Sequence, residues 1–458
     1  MKVVLRTDGP IRRWHQRVGE RLAAAGHTLV VSKTPGRALP TGLRLLLALE
    51  RRLYGDAAAL FDPVGEPVAD SDGDLVLEVR YDARPGERAL AGTLLARRVP
   101  YVEVVDATGR ALAAGLPAVE APDILACGLD HVLARTAKLV VTAVGSAATA
   151  ASLQAASAPL PAGARVPAPV FGARTLATKL ASRLRPAAAR LPPWRIAIRR
   201  ADTPDAAPAQ AWTKDAFTPF AHDGLRFEAD PFLIAHAGRT CLFYEDFPFA
   251  TRRGVIAMRE LGAEGWSSPR VVLDEPFHLS YPHLFVWDGT VYMLPEAAAA
   301  GCIRLYRADP FPDRFVPDRV LVEGVETGDA TLVAHDGHWW LFATLAGDGG
   351  SSWDALALFH APHPFGPWTP HAANPVLIDA GAARPAGNMW HEDGTLMRVA
   401  QDCRTGYGKG LSICRVDRLD AAGYAQTVVA RLSPPEGLAA LGVHTLNRAA
   451  GFEVIDLV

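Results

Sequence analysis

The residues through which this chain could do chemistry are carboxylates standing at fixed offsets from a recurring turn glycine. Asp230 lies eight residues before Gly238 and Glu245 seven after it; around Gly289 the same offsets hold Tyr281 and Glu296, and around Gly337 Asp329 and Thr344. Gly394 places Ala386 and Gln401 there, and Gly451 places Val443 and Val458. General acid–base chemistry needs one protonated carboxyl and one ionised carboxyl. Glu296 follows Met293, Leu294 and Pro295, which would desolvate it and raise its pKa, so it suits the acid, with Glu245 as its competitor. Structural readings stand beside these. Asp230 could cap a turn, Asp329 could serve the turn after Gly328, Glu296 could pair with Arg304 or Arg384, and Glu245 or Asp246 could simply be solvated.

Other residues would complete such a site. His278, Tyr281 and His283 form a polar and aromatic group suited to stacking on a sugar and bonding its hydroxyls. Arg384 could grip an anionic group in two-pronged fashion, and Gln401, Asp402 and His444 would line the later part of the site. Trp339 and Trp340 alternate faces on one strand and read as packing. There is no phosphate-cradling glycine loop, HExxH helix or zinc spacing, so neither a cofactor nor a metal is expected.

Positioning these residues requires a particular architecture. Each of the five segments is a strand, a tight glycine turn and a second strand, and the turn glycines recur at spacings of 51, 48, 57 and 57 residues. A period near ~50 residues built of hairpins is the pattern of a propeller, in which no blade can bury both faces alone. Five repeats predict five blades over residues 194–458, with equivalent positions of different blades converging on one central funnel.

Ala229-Asp230-Pro231-Phe232 and the hairpin after it are similar to the first blade of the five-bladed glycosidase clan, which includes arabinanases, xylosidases and invertase-like enzymes. A narrower set of motifs resembles the N-terminal propeller of plant glucosamine inositolphosphorylceramide transferases and their bacterial relatives. These are Phe277 to His283, Tyr292 to Glu296, Gly328 to Thr331, Asn374-Pro375-Val376, Ala383 to Gly387, Gln401-Asp402-Cys403 and Tyr407-Gly408. The resemblance covers about Trp212 to Val458, and the plant proteins add a separate transferase domain. The wider clan uses three funnel carboxylates. The resemblance therefore implies Asp230 as base or nucleophile, with Glu296 and Asp329 completing the catalytic set, while Tyr281 stands where a carboxylate would be expected. A sugar or glycoconjugate is the implied substrate, handled by acid–base chemistry. Two rival functions remain: a non-catalytic sugar-binding or scaffold module in polysaccharide or glycolipid assembly, and a transferase or biosynthetic enzyme that re-uses the funnel.

The first half has another character. Of ten tryptophans only Trp14 precedes residue 190, and of seventeen phenylalanines only Phe61 and Phe171 do. Strands at Lys2–Arg6, Thr28–Ser32, Leu75–Val79 and Val99–Val105, with a helix running from Gly9-Pro10 to Ala25, predict an α/β domain over residues 1–140 with a parallel sheet. Thr7-Asp8-Gly9-Pro10 with Trp14 resembles the formyltransferase-like domains ahead of some bacterial sugar propellers, but the Asn, His and Asp set of that chemistry is missing. A degenerate domain serving docking or specificity is the expectation. An Ala- and Pro-rich connection over 141–193, with one amphipathic helix at Thr175–Leu184, would join the halves. A net charge of −2 without a basic cluster argues against nucleic acid, and five scattered cysteines argue against a disulfide framework and for a reducing cytoplasm. The Leu43–Leu49 run, broken by Arg44, is too short for an integral membrane segment.

Overall fold

The computed structural model describes residues 1–458 except 37–38, 56, 70–71, 149–156, 162, 185–193, 202–211, 213–216, 222, 436–437 and 439. The chain forms two compact units. One comprises 1–190 with 347–354 and 377–380; the other comprises 191–346, 355–376 and 381–458.

The first unit is an α/β domain. Its sheet runs Thr28–Lys33, Lys2–Thr7, Leu75–Tyr81, Val102–Asp106, Ala111–Gly115. The first three strands are parallel, as expected, but the last two are antiparallel. The reason is local. After Tyr81, Asp82 bonds Tyr101 through both backbone and carboxylate, so the chain re-enters the sheet at the end it had just left. The boundary expected near residue 141 falls inside helix Leu125–Ala148, which with Arg13–Ala24, Glu87–Leu95 and Ala168–Leu184 supplies much of the unit's core. Among the described residues no helix is long and apolar enough to cross a membrane.

The second unit is a five-bladed β-propeller. Blade 1 is built on Arg226–His236 and Arg239–Pro248, blade 2 on Ser280–Trp287 and Thr290–Glu296, blade 3 on Thr327–His335 and His338–Leu345, and blade 4 on Trp390–Glu392 and Thr395–Gln401. Blade 5 takes Leu446–Ala449 and Phe452–Leu457 from the C-terminus and completes itself with Arg195–Arg200 and Thr218–Pro219 from the start of the unit. The two ends of the unit are thereby stitched into one sheet, which removes the open edges a linear array would leave. In each hairpin both turn residues are left-handed: Ala237 and Gly238, Asp288 and Gly289, Asp336 and Gly337, Asp393 and Gly394, Ala450 and Gly451. That is the twist-compatible two-residue turn, and it explains why the glycines recur in register. Apolar clusters fill the seams between neighbouring blades, such as Phe232, Phe243 and Met258 of blade 1 against Leu279, Leu284 and Met293 of blade 2.

The entrance of the inner strand is irregular in three blades, and this is what aims the site. The ladder slips between Ala229 and Phe232, between Ser280 and His283, and between Gly328 and Thr331. The extra residue at each bulge, Asp230, Tyr281 and Asp329, has φ of 51°, 44° and 55°. Bulges redirect a side chain at the rim of a sheet. Pro231 and Pro282 lack an N–H, so the disrupted ladder loses no donor there.

Candidate active site in the propeller funnel

The centre of the propeller is a buried charge network drawn from all five blades. Asp230, 5% exposed, accepts the Tyr281 N–H at 3.2 Å and faces His444 Nε2 at 3.2 Å. The opposite ring nitrogen, Nδ1, lies 2.8 Å from Asp456 Oδ2 but off the axis of a hydrogen bond, so this contact is electrostatic. Asp456 is fixed by its own donors: the N–H groups of Asp230, His444 and Thr445 at 3.0, 3.0 and 2.9 Å, and the Thr445 hydroxyl. Burial opposes charge on His444, yet Asp456 and Asp230 outweigh it and raise the imidazole well above its ordinary pKa. Burial likewise works against Asp456, but His444 and the Thr445 donors hold its carboxyl below the usual aspartate value. Asp230 is pushed up by burial while His444 pulls the other way. Trp194 and Tyr407 enclose the imidazole, with ring centroids 4.2 and 5.3 Å away. Asp230, His444 and Asp456 also form a group whose ligand atoms all lie within 4.8 Å. As it stands, the cation between the two carboxylates is His444 itself.

Glu245 reaches the same place from the second strand of blade 1, where it pairs with Ala229 in the ladder. It is buried, and its Oε1 has no hydrogen-bond partner among the described residues. His278 Nε2 lies 3.4 Å away, with its Nδ1 already accepting the Gly254 N–H at 3.0 Å. Burial first, then the negative charge of Asp230, drives Glu245 well above the normal glutamate range.

A second carboxyl pair sits across blades 2, 3 and 4. Arg384 donates through Nε and Nη2 to Asp329, Gln401 Nε2 donates to the same carboxylate at 3.2 Å, and Glu296 lies 3.5 Å from Arg384 Nη2. The two partners of the central pair point in opposite senses. Arg384 is held charged against burial by Asp329, whereas burial and the adjacent Glu296 push Asp329 up to about 7. The three convergent donors decide for an ionic Asp329. Tyr407 lies beneath Arg384, with the guanidinium 5.3 Å from the ring centroid.

The structure therefore brings Asp230, Glu245, Glu296, Asp329, Arg384, Gln401 and His444 together, with His278 at the margin. The remaining expected residues have other duties. The Tyr281 hydroxyl accepts the Gly387 N–H at 2.7 Å and bonds Thr331 at 2.8 Å, making it a buried strut between blades. Both nitrogens of His283 are engaged, by Asn388 Oδ1 and by the Leu332 N–H, so that ring offers a sugar nothing. Asp402 is held by Arg404 and Arg431. Asp456, Tyr407 and Trp194 were missed. Asp456 stands five residues after Gly451, two short of the offset that the other blades use, and its carboxylate is brought to the centre by the Asp230, His444 and Thr445 N–H groups while Val458 pairs with Gly442. An acid buried in the Glu453-Val-Ile-Asp456 strand was the available signal.

The family described as glucosamine inositolphosphorylceramide transferase 1, N-terminal, matches residues 207–435. The glucosamine inositolphosphorylceramide transferase 1 of Oryza sativa subsp. japonica is 34% identical over 208 residues, 44% of this chain and 28% of that protein. Its Arabidopsis thaliana counterpart is 33% identical over 217 residues, 46% of this chain and 28% of that protein. The chain thus spans a little over a quarter of the length of these curated relatives. Among solved structures, Zg3597, a family 117 glycoside hydrolase from Zobellia galactanivorans, is 13% identical with a TM-score of 0.37, covering 58% of this chain and 91% of that one. Bacteroides ovatus xyloglucan GH43B is 18% identical with a TM-score of 0.34, covering 46% and 47%.

Proposed function

Because the chain belongs to the family described as glucosamine inositolphosphorylceramide transferase 1, N-terminal, we propose that its propeller funnel binds a sugar or glycoconjugate and acts on the glycosidic bond by carboxylate acid–base chemistry. The observation that carries the reading is the contrast between two neighbouring carboxyls. Asp230 faces an imidazolium and accepts a backbone N–H, so its charged form is supported. Glu245 is buried with an unpartnered oxygen and pushed well above the glutamate range, so its protonated form is favoured. Environments that separate two carboxyls in this way define an acid and a base. Asp230 is the base or nucleophile and Glu245 the acid. Glu296, the acid favoured by its apolar flanks, instead shares Arg384 with Asp329, and that group orients the substrate and tunes the charge of the site.

Turnover of a panel of aryl furanosides, aryl pyranosides and glycosyl phosphates by the wild type, Asp230→Asn and Glu245→Gln tests this. Turnover that either variant lowers by about a hundredfold or more supports the assignment. A chain that binds a glycan equally well with Glu245→Gln and turns over none of the panel is a binding module, the reading that the internal saturation of Asp329 and Gln401 would then favour.

A further inference from the structure

The first unit carries a surface unlike that of an ordinary globular domain. Helices Thr41–Tyr54 and Ala168–Leu184 lie side by side and parallel. Gly42 faces Pro169, Gly172 faces Leu46, and Lys179 sits over the Tyr54 ring. Their inner faces supply Leu43, Leu47 and Phe171 to the core. Their outer faces do not turn polar. Leu45, Leu49 and Leu53, spaced by four residues on one side of the first helix, are 66, 55 and 65% exposed, and Leu176 and Leu180 of the second are 61 and 50% exposed. Large apolar side chains that recur on one face without cover mark a contact surface.

The unpaired charges of these two helices, among the described residues, have one sign. Glu50, the one acid of the first helix, is buried and accepts the Leu125 and Ala126 N–H groups at the start of another helix. The second helix contains no acid. Arg51 and Lys179 are paired with Asp62 and Asp123, but Arg44, Arg52 and Arg174 are exposed and meet no carboxylate among the described residues. An aliphatic stripe bordered by unpaired arginines is the composition of a helix that lies in the interface of an anionic bilayer. A protein partner is the poorer match, since interface cores are rich in aromatic rings and carry both signs of charge at the rim.

We propose that this helix pair docks the chain on a membrane surface rich in anionic lipid, with Leu45, Leu49, Leu53, Leu176 and Leu180 entering the acyl boundary and Arg44, Arg52 and Arg174 meeting the headgroups. The inference concerns the first unit alone and is independent of the chemistry assigned to the funnel.

Co-sedimentation of the full chain with sucrose-loaded vesicles tests it, comparing pure phosphatidylcholine with about 30 mol % phosphatidylserine, in low and high salt. Wild type should pellet with the anionic vesicles, and high salt should weaken that binding. Leu49→Glu with Leu53→Glu should lower the partition at least about tenfold. Arg44→Glu, Arg52→Glu and Arg174→Glu, which leave the leucines untouched, should each cost about fivefold on anionic vesicles and nothing on neutral ones. All these positions are exposed, and an unchanged far-UV spectrum and melting temperature will accompany each variant. Wild type that stays in the supernatant with both vesicles overturns the proposal. So does a concentration-dependent dimer in light scattering that Leu49→Glu abolishes, because the stripe then belongs to a second copy of the chain.

Discussion

Replacing His444 by glutamine should damage the propeller more than any other single change among its central charged groups, and the damage should depend on pH in a definite sense. The imidazolium stands between Asp230 at 3.2 Å and Asp456 at 2.8 Å, all three buried. Glutamine fills a similar volume and can donate to one carboxylate, but it leaves both acids without a counter-charge. Removing one partner of a buried ion pair costs about 3–5 kcal/mol. With a urea m-value of about 3 kcal/mol/M for a unit of this size, the midpoint should fall by about 1–1.7 M. His444 is raised in the folded state above its unfolded value of 6.5, so its contribution is full below that pH and is lost as pH rises through the folded pKa. The gap between wild type and His444→Gln should therefore be widest near pH 6 and narrow progressively in alkali. Trp194, whose ring centroid is 4.2 Å from the imidazole, reports the transition by fluorescence. Adding Asp456→Asn to the glutamine variant should restore part of the loss, because one uncompensated carboxylate disappears; a double-mutant cycle reads the coupling. A cost under about 0.5 kcal/mol, an equal cost at every pH, or strict additivity would refute the network as drawn.

Three further outcomes follow from the same geometry. Glu245→Gln, an isosteric change at a carboxyl whose neutral form burial favours, should alter stability by less than about 1 kcal/mol in urea titration while removing turnover, whereas Asp230→Asn should remove turnover and flatten the acid limb of any pH–rate profile. Tyr281→Phe strips the partner from the buried Gly387 N–H and should cost about 1–3 kcal/mol in thermal or urea unfolding, with substrate affinity unchanged because the hydroxyl does not face the funnel. Gly387→Ala should fail more severely than that: the residue has φ of 143°, and a Cβ would stand 2.0 Å from the Leu446 carbonyl oxygen, so soluble expression itself is the readout.

The propeller was legible in the sequence because its turns are. A left-handed residue before a left-handed glycine is a local demand, and five in register leave little choice of architecture. The closure of blade 5 by Arg195–Arg200 was not legible, since pairing between strands more than 250 residues apart leaves no local signature. The site was half legible for a related reason. Counting from the glycine gives Asp230 and Glu245 in blade 1, Glu296 in blade 2 and Asp329 in blade 3, while Tyr281 at the same offset is a strut. It misses Asp456, which stands at glycine plus five, where the other four blades carry the apolar Phe243, Leu294, Phe342 and Val399. That both nitrogens of His283 are engaged, or that Asp402 lies between Arg404 and Arg431, depends on neighbours that no spacing reveals.

The three bulges also separate frame from chemistry. A non-glycine residue in the left-handed region costs about 1–3 kcal/mol, and such strain collects at functional sites. Asp230 and Asp329 hold it while turning a carboxylate inward, but Tyr281 holds the same φ and uses its side chain to tie blade 2 to Thr331 and Gly387. The strained conformation is thus a property of the inner strand's entrance, common to blades that do different work. What marks Asp230 out is the company that its backbone and side chain keep. Its N–H binds Asp456, its carboxylate faces His444, and Glu245 stands one ladder pair away with an unpartnered oxygen. Function at this centre should accordingly respond to changes in that company, His444 and Glu245 first, and tolerate changes at Asp402 or His283 to the extent that the blades still pack.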